Sequence, residues 1–361
     1  MKIKDKIILI TISIIIITII NMFIFNKKVY YSENEFRYLT KLNDITFETI
    51  INRKTMDNIE EYLSDHFPFR EEFIKLKNRI DLLMGNKKIN GVYITDKYLI
   101  EEYKEYENIE EFINTINVFK DNNKDIKINL MVVPTSISIN GKYLSNYSKT
   151  NKQIDDIKYI YKNTNTINID VYKTLSKSKK QVYYYTDHHW TTYGAMKAYQ
   201  EFVNNDKDLE LKKVSSSFQG TIYSKVLISD IKDEIYIYEP DYELLVTYDL
   251  GNQKIKKDTM YNMSYLKKKD KYSLFLDNNN PLITIENKSL NNDKNILVIK
   301  DSYANSFIPF LTNDYEFIHV IDPRFYTNNI TKYIKNNDIN EVLILYNINT
   351  LNDDTGVLRI K

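Results

Sequence analysis

The hydrophobic pattern opens on one long apolar run. Ile7 to Phe25 is broken only by Thr11, Ser13, Thr18 and Asn21. As a helix, a run of this length crosses a hydrocarbon core of about 30 Å. Lys2, Lys4 and Lys6 precede it and Lys27 and Lys28 follow it, a weak bias toward an inside amino terminus. Large residues fill Asn21 to Phe25, where a cleavable signal peptide would carry a small-x-small site. The pattern therefore predicts a signal anchor over residues 1–28, single-pass in the cell membrane, with the remainder outside the cell. No second run reaches membrane length.

Residues 29–88 read as a charged helical stalk. Ile59, Tyr62, Leu63, His66 and Phe67 keep helical spacing until Pro68. A second helix is predicted over Glu71 to Leu83, then a hairpin of Val92 to Ile94 and Tyr98 to Ile100. From 89 to 361 buried strands alternate with helices. Strands are predicted over Ile126 to Pro134, Ile167 to Val171, Val182 to Thr186, Asn295 to Ile299, Phe317 to Ile321 and Val342 to Tyr346. Helices are predicted over Ile109 to Phe119, Gln153 to Tyr161, Thr192 to Val203, Tyr303 to Leu311 and Ile330 to Ile334. Continuous aliphatic strands separated by helices imply an α/β fold with a doubly wound, mostly parallel sheet. Residues 232–290 interrupt the alternation as a β-rich insertion without a clear helix.

Composition narrows the chemistry. The 361 residues include only seven glycines and no cysteine. The glycines are too scattered for a dinucleotide fingerprint or a phosphate-binding loop, and thiolate zinc sites and cysteine nucleophiles are absent. A formal net charge of +1 gives no reason to expect nucleic acid. With only four histidines, His66, His188, His189 and His319, each carries information.

Two of them lie in Tyr185-Thr186-Asp187-His188-His189-Trp190-Thr191-Thr192, between a predicted strand and a predicted helix. Ligands in open α/β sheets bind outside the carboxyl ends of strands. In extended backbone, Asp187 and His189 point to one side, where a carboxylate can fix the imidazole tautomer. A structural turn satisfies the same residues. A metal is a weaker alternative, since Asp187, His188 and His189 supply at most three ligands and nothing nearby completes the set. The second motif is the apolar run Ile296 to Ile299 followed by Lys300-Asp301-Ser302-Tyr303-Ala304-Asn305-Ser306. A serine on such a strand-to-helix turn has its hydroxyl exposed, with helix N–H groups near an incipient oxyanion. An ordinary N-cap at Asp301 or Ser302 is the competing reading. Together the motifs supply a nucleophile, a base and an orienting acid. Val132-Val133-Pro134-Thr135-Ser136 is a further strand end, where Ser136 is a lesser nucleophile candidate. Arg324 in Asp322-Pro323-Arg324, Asn347 after its strand, and His188 are candidate substrate-binding residues. His66 and His319 read as structural.

At this point a resemblance is carried by residues in order: Asp65-His66-Phe67-Pro68-Phe69-Arg70, Asn90-Gly91-Val92-Tyr93, Val133-Pro134-Thr135-Ser136, Thr186-Asp187-His188-His189-Trp190-Thr191 and Lys300-Asp301-Ser302-Tyr303-Ala304-Asn305-Ser306. The chain resembles the DHHW family of bacterial membrane-anchored proteins, which is similar in turn to the SGNH-like domains of alginate O-acetyltransferases. The resemblance implies an SGNH-hydrolase-like sheet, with Ser302 as nucleophile and His189 and Asp187 as its base and orienting acid. It implies O-acetylation or deacetylation of an exported or cell-wall polysaccharide. A membrane acyl-donor protein is the expected partner, because acetyl-CoA is cytoplasmic and this domain is expected outside, and neither cofactor nor metal is expected. The chain departs from the usual Gly-Asp-Ser in having Lys300 before Asp301. The usual oxyanion blocks are not recognisable, which leaves the backbone N–H of Ser302 or Tyr303 as donor. Two readings without catalysis stay open: a glycan-binding or assembly protein on the same fold, and a structural partner of a membrane complex that binds through residues 33–84.

Overall fold

The computed structural model describes residues 3–24, 31–42, 54–144 and 152–361. These fall into two compact units. One comprises Met1–Asn90 with Tyr223–Ser229, the other Gly91–Ile222 with Asp230–Lys361.

The first unit holds the helices Ile3–Ile24, Lys54–Asp65 and Arg70–Leu83. Charged Lys4, Asp5 and Lys6 lie within the first of these. Among the described residues no helix is long and apolar enough to cross a membrane. The transmembrane helix expected over Ile7 to Phe25 is therefore not found there, and Phe25, Lys27 and Lys28 lie outside the described residues. Asp65 and Arg70, from the Asp-His-Phe-Pro-Phe-Arg motif, belong to an ion cluster with Arg37 and Glu35. Arg37 Nη1 donates to Asp65 at 3.0 Å, and Arg70 pairs with Glu35. His66 is buried and its Nε2 lies 3.0 Å from the Thr40 carbonyl, a structural role.

The second unit is built on an eight-stranded sheet. Its strands are β1 (Lys127–Val133), β2 (Ile167–Asn168), β3 (Leu244–Asp249), β4 (Lys254–Lys257), β5 (Leu282–Asn287), β6 (Asn295–Lys300), β7 (Phe317–Ile321) and β8 (Glu341–Asn347). Their spatial order is β4-β3-β5-β7-β6-β8-β1-β2. The five from β7 to β2 run parallel, while β5, β3 and β4 extend the sheet antiparallel from β7. Strands from the β-rich segment thus join the main sheet.

The parallel strands are continuous apolar runs because both faces are covered. On β6, Ile296 and Val298 enter one core while Leu297 and Ile299 enter the other. Leu343 and Leu345 of β8 alternate in the same way with Val342, Ile344 and Tyr346. Helix Thr192–Val203 covers the first face with Ala195, Met196, Ala198 and Tyr199. Helix Ile109–Asn122 covers the second with Phe112, Ile113, Ile116 and Phe119, the i, i+1, i+4, i+7 stripe of an amphipathic helix. Each Ile, Leu, Val, Phe or Met side chain so buried contributes roughly 1.5–3 kcal/mol.

One expected strand is absent. Val182 to Thr186 makes only an isolated bridge, Tyr183 to Trp190. The rings of Tyr183 and Tyr184 are packed into two different cores, so their apolar character reflects burial and not sheet membership. The Ser302 turn also differs from expectation. Ser302–Ser306 is a 3-10 turn, and the α-helix begins only at Ile308.

Candidate active site

The Asp-His-His-Trp segment sits at the tip of a closed loop. Tyr184 N donates to His189 O at 3.2 Å and Thr191 N to Val182 O at 2.9 Å. Thr191 then caps helix Thr192–Val203, its Oγ1 accepting from Gly194 N at 3.1 Å. Asp233, buried at the start of the strand Asp233–Ile237, gathers the loop's donors: Tyr185 N at 2.8 Å, Thr186 N at 2.9 Å, Thr186 Oγ1 at 2.6 Å and Gln181 Nε2 at 3.1 Å. Burial pushes the Asp233 carboxyl up to about 6 against these donors. The loop, not a strand end, therefore places Asp187 and His189.

Asp187 turns back on its own chain. Its Oδ1 accepts from His189 N at 3.0 Å and faces His189 Nδ1 at 2.6 Å. Its Oδ2 accepts from Thr221 N at 2.8 Å and Thr221 Oγ1 at 3.0 Å. An ionised carboxylate is acceptor-only, so Nδ1 carries the proton and Nε2 keeps the lone pair. That Nε2 lies 2.8 Å from Ser302 Oγ. Ser302, His189 and Asp187 are thus one hydrogen-bonded relay. Burial pushes the Asp187 carboxyl up, but the imidazoles of His189 and His188 and the Thr221 N–H hold it well below the usual carboxylate range. Burial and then the neighbouring His188 push the His189 imidazole down to about 4, against the pull of Asp187. The result is a neutral imidazole at neutral pH, with its Nε2 lone pair available to Ser302.

The serine turn is held from the sheet side. Asp301 N donates to Leu345 O at 3.2 Å on β8. The Asp301 carboxyl accepts from Tyr303 N at 2.9 Å, Asn347 N at 2.8 Å and Asn347 Nδ2 at 2.6 Å. Tyr303 N–H is therefore committed to Asp301, and of the two expected oxyanion donors Ser302 N–H remains. The two motifs are then pinned together. Trp190 Nε1 donates to Tyr303 O at 2.9 Å and Ser306 Oγ at 3.0 Å, and Tyr303 Oη donates to His188 O.

The remaining sequence candidates divide. His188 is half-buried, with Nδ1 2.5 Å from Thr221 Oγ1 and its ring 3.8 Å from that of His189. Asn347 gives its side-chain N–H groups to Asp301 and Thr350 and accepts from Asn349 N and Thr350 N. The substrate contact expected of it finds no uncommitted donor; it braces the turn. Arg324 forks onto buried Asp322 through Nε at 2.8 Å and Nη2 at 2.6 Å. Arg324 also lines a cavity of about 310 Å³ with Thr350, Asp353, Asp354, Thr355, Gly356 and Arg359. Lys300, fully buried, reaches Asn279 Oδ1 at 2.8 Å and Asp322 at 3.3 Å. Burial pushes its ammonium down to about 8 despite Asp322. Ser136 is buried, begins the helix Ser136–Asn140 and accepts from Asn140 Nδ2 at 2.9 Å, a structural role. His319 Nδ1 pairs with Tyr333 Oη at 2.7 Å.

Asp187, His188 and His189 offer ligand atoms within 4.8 Å of one another. In this arrangement Asp187 Oδ1 and His189 Nδ1 are 2.6 Å apart. That is a hydrogen bond in which the protonated Nδ1 donates, so this nitrogen has no lone pair to offer a metal. His189 Nε2 faces Ser302 instead.

Sequence reasoning missed Gly220, Thr221, Asp233 and Tyr272. Gly220-Thr221 offered a signal, because glycine is scarce in this chain. Asp233 is one of three acids in Asp230-Ile231-Lys232-Asp233-Glu234, and Tyr272 is one of 31 tyrosines.

A model of the DHHW protein family matches residues 87–321, and the chain belongs to this family. Among solved structures it is similar to a DHHW family protein from Eubacterium siraeum, at 24% identity over 75% of this chain and 96% of that one, with a TM-score of 0.64. It is equally similar to PatB1 of Bacillus cereus carrying a sulfonyl adduct, at 21% identity over 75% and 98%, with a TM-score of 0.64. The O-acetyltransferase domain of Pseudomonas putida AlgJ is more distant, at 15% identity over 73% and 93%, with a TM-score of 0.45. No curated protein matches the chain.

Proposed function

Starting from a DHHW protein with this site, we propose a serine acyltransferase or esterase that adds acetyl groups to, or removes them from, an exported or cell-wall polysaccharide. The observation that carries the reading is the unbroken relay from Asp187 through His189 to Ser302, with links of 2.6 and 2.8 Å. Both links lie within the reach that proton transfer requires.

In this reading Ser302 Oγ attacks the acyl carbonyl as its proton passes to His189 Nε2. Asp187 stays ionised and supports the imidazolium. The tetrahedral oxyanion is met by Ser302 N–H. Collapse expels the donor's alcohol, protonated by His189, and leaves acyl-Ser302. A sugar hydroxyl, or water for hydrolysis, then gives its proton to His189 and attacks the acyl carbon, releasing Ser302. Arg324 and His188 are the proposed substrate contacts. A membrane protein that supplies the acyl donor is the proposed partner. The proposed location is the outer face of the cell membrane; it rests on the apolar run in the sequence and is tested by labelling intact cells from outside.

The test uses a fragment beginning near Tyr30, an activated acetyl ester and a sulfonyl fluoride, the reagent class suggested by the PatB1 adduct. Hydrolysis and covalent labelling are expected in the wild type and lost by at least about 10³-fold in Ser302→Ala. Equal rates in both proteins would defeat the reading. A second reading, a non-catalytic glycan-binding protein, is favoured by the commitment of Tyr303 N–H to Asp301 and by Lys300 in place of glycine. Glycan retention without any labelling of Ser302 would support it.

A further inference from the structure

We infer that Tyr272 is a positioning residue for this site: its ring sets the plane of His189 and its hydroxyl tethers the Ser302 turn. The inference rests on the reading of Ser302 and His189 above. Tyr272 lies in the 3-10 turn Tyr272–Leu274, outside both sequence motifs.

The ring of Tyr272 lies 3.7 Å from that of His189 at an interplanar angle of 10°. His188 and Tyr303 pack against the same imidazole, at 3.8 and 5.2 Å between ring centroids. The bond to Asp187 fixes Nδ1, but a ring held at one atom can still pivot and carry Nε2 away from Ser302. Aromatic packing on the ring stops that pivot. Tyr272 does not yield easily, because it packs into a core with Tyr184, Phe218 and Phe275. When His189 takes the serine proton, the charge forms over the aromatic face, which favours the imidazolium.

The hydroxyl completes a directed chain. Tyr272 Oη lies 3.1 Å from Ser302 O and 3.1 Å from Ser306 Oγ. Trp190 Nε1 can only donate, so Ser306 Oγ accepts from it at 3.0 Å. The Ser302 carbonyl can only accept, so Tyr272 donates to it. Ser306 must then donate to Tyr272. The order is Trp190 to Ser306 to Tyr272 to Ser302, with no freedom in the direction of any proton. Such chains polarise cooperatively. One side chain thus touches the base with its ring and the backbone of the nucleophile with its hydroxyl.

The experiment compares wild type, Tyr272→Phe, Tyr272→Leu and Ser306→Ala. It reads the second-order rate of Ser302 sulfonylation, kcat and KM on an activated acetyl ester, and the downfield His189 Nδ1–H proton resonance. Leucine removes both devices; a base misplaced by about 1 Å costs roughly 100-fold, so kcat and labelling should fall by that much with KM within about twofold. Phenylalanine keeps the stack and should recover most of the loss, and Ser306→Ala, which breaks the chain from the other side, should match it. The Nδ1–H resonance should persist in Phe and vanish in Leu. Labelling rates within twofold across the set, or a retained resonance in Tyr272→Leu, would overturn the inference. A wild type that does not label would overturn the catalytic reading instead, and the resonance still decides the role of Tyr272.

Discussion

Gly220→Ala tests whether Asp187 must sit where it does. A Cβ built on Gly220 would lie 2.1 Å from Asp187 Oδ2, 2.4 Å from its Cβ and 2.5 Å from its Cγ. Ordinary contact begins near 3.4 Å, so the carboxylate must retreat by roughly 1 Å. Gly220 is not among the residues with positive φ, so the perturbation is one of space and not of backbone freedom. Asp187 cannot retreat while keeping its bonds to His189 N, His189 Nδ1, Thr221 N and Thr221 Oγ1. The expected cost to stability is about 1–3 kcal/mol, the usual range for overpacking. The expected cost to kcat is about 10²-fold for a base misplaced by that distance. The upper bound is about 10⁴-fold, the loss seen elsewhere when an orienting carboxylate is neutralised. Acetyl-ester kinetics and chemical denaturation of the same preparation separate the two costs. A folded Gly220→Ala protein with kcat within twofold of wild type would refute the claim that the Asp187 position governs the base.

Two further outcomes follow from the charges. The base works only when neutral, and His189 is depressed to about 4, so kcat/KM should stay level from neutrality to about pH 5 and fall about tenfold per unit below pH 4; an acid limb at 6.5 or higher in a pH–rate profile contradicts the burial of His189. Lys300, at about 8 instead of 10.5, gives up its proton more readily when folded. The unfolded chain then binds more protons between those values, so this group's contribution to stability rises with pH across that window. The wild-type minus Lys300→Met difference in unfolding free energy should therefore grow by on the order of 3 kcal/mol from pH 8 to 10.5, and a flat difference in denaturant titrations contradicts the assignment.

The sequence made legible what depends on burial and on local spacing. Strands β1, β6 and β8 were readable because sheets covered on both faces need unbroken aliphatic runs. Asp187, His189 and Ser302 were readable because their residue types and turns advertise chemistry. Val182 to Thr186 misled, since its aromatic residues serve two cores while the N–H groups of Tyr185 and Thr186 go to Asp233. Asn347 was noticed for its place at a strand end. Its partner, Asp301, became visible only once β8 was known to lie beside β6. Tyr272 and Asp233 come from the β-rich segment, which gave no sign of touching the site. Their roles depend on contacts across many residues that no local pattern encodes.

The place of β8 bears on how the protein is made. It is the last strand in the chain, yet it lies between β6 and β1 in the sheet. During synthesis from the amino terminus, β1 and β6 emerge well before the strand that joins them. Until then each presents an unpaired edge of the kind that recruits foreign strands. The turn bearing Ser302 meanwhile lacks Leu345 and Asn347, which hold Asp301. The Ser302 turn is therefore shaped only after the chain has delivered residue 347. Insertion of one central strand, a late and non-local step of the slow kind, brings the sheet and the site into being together.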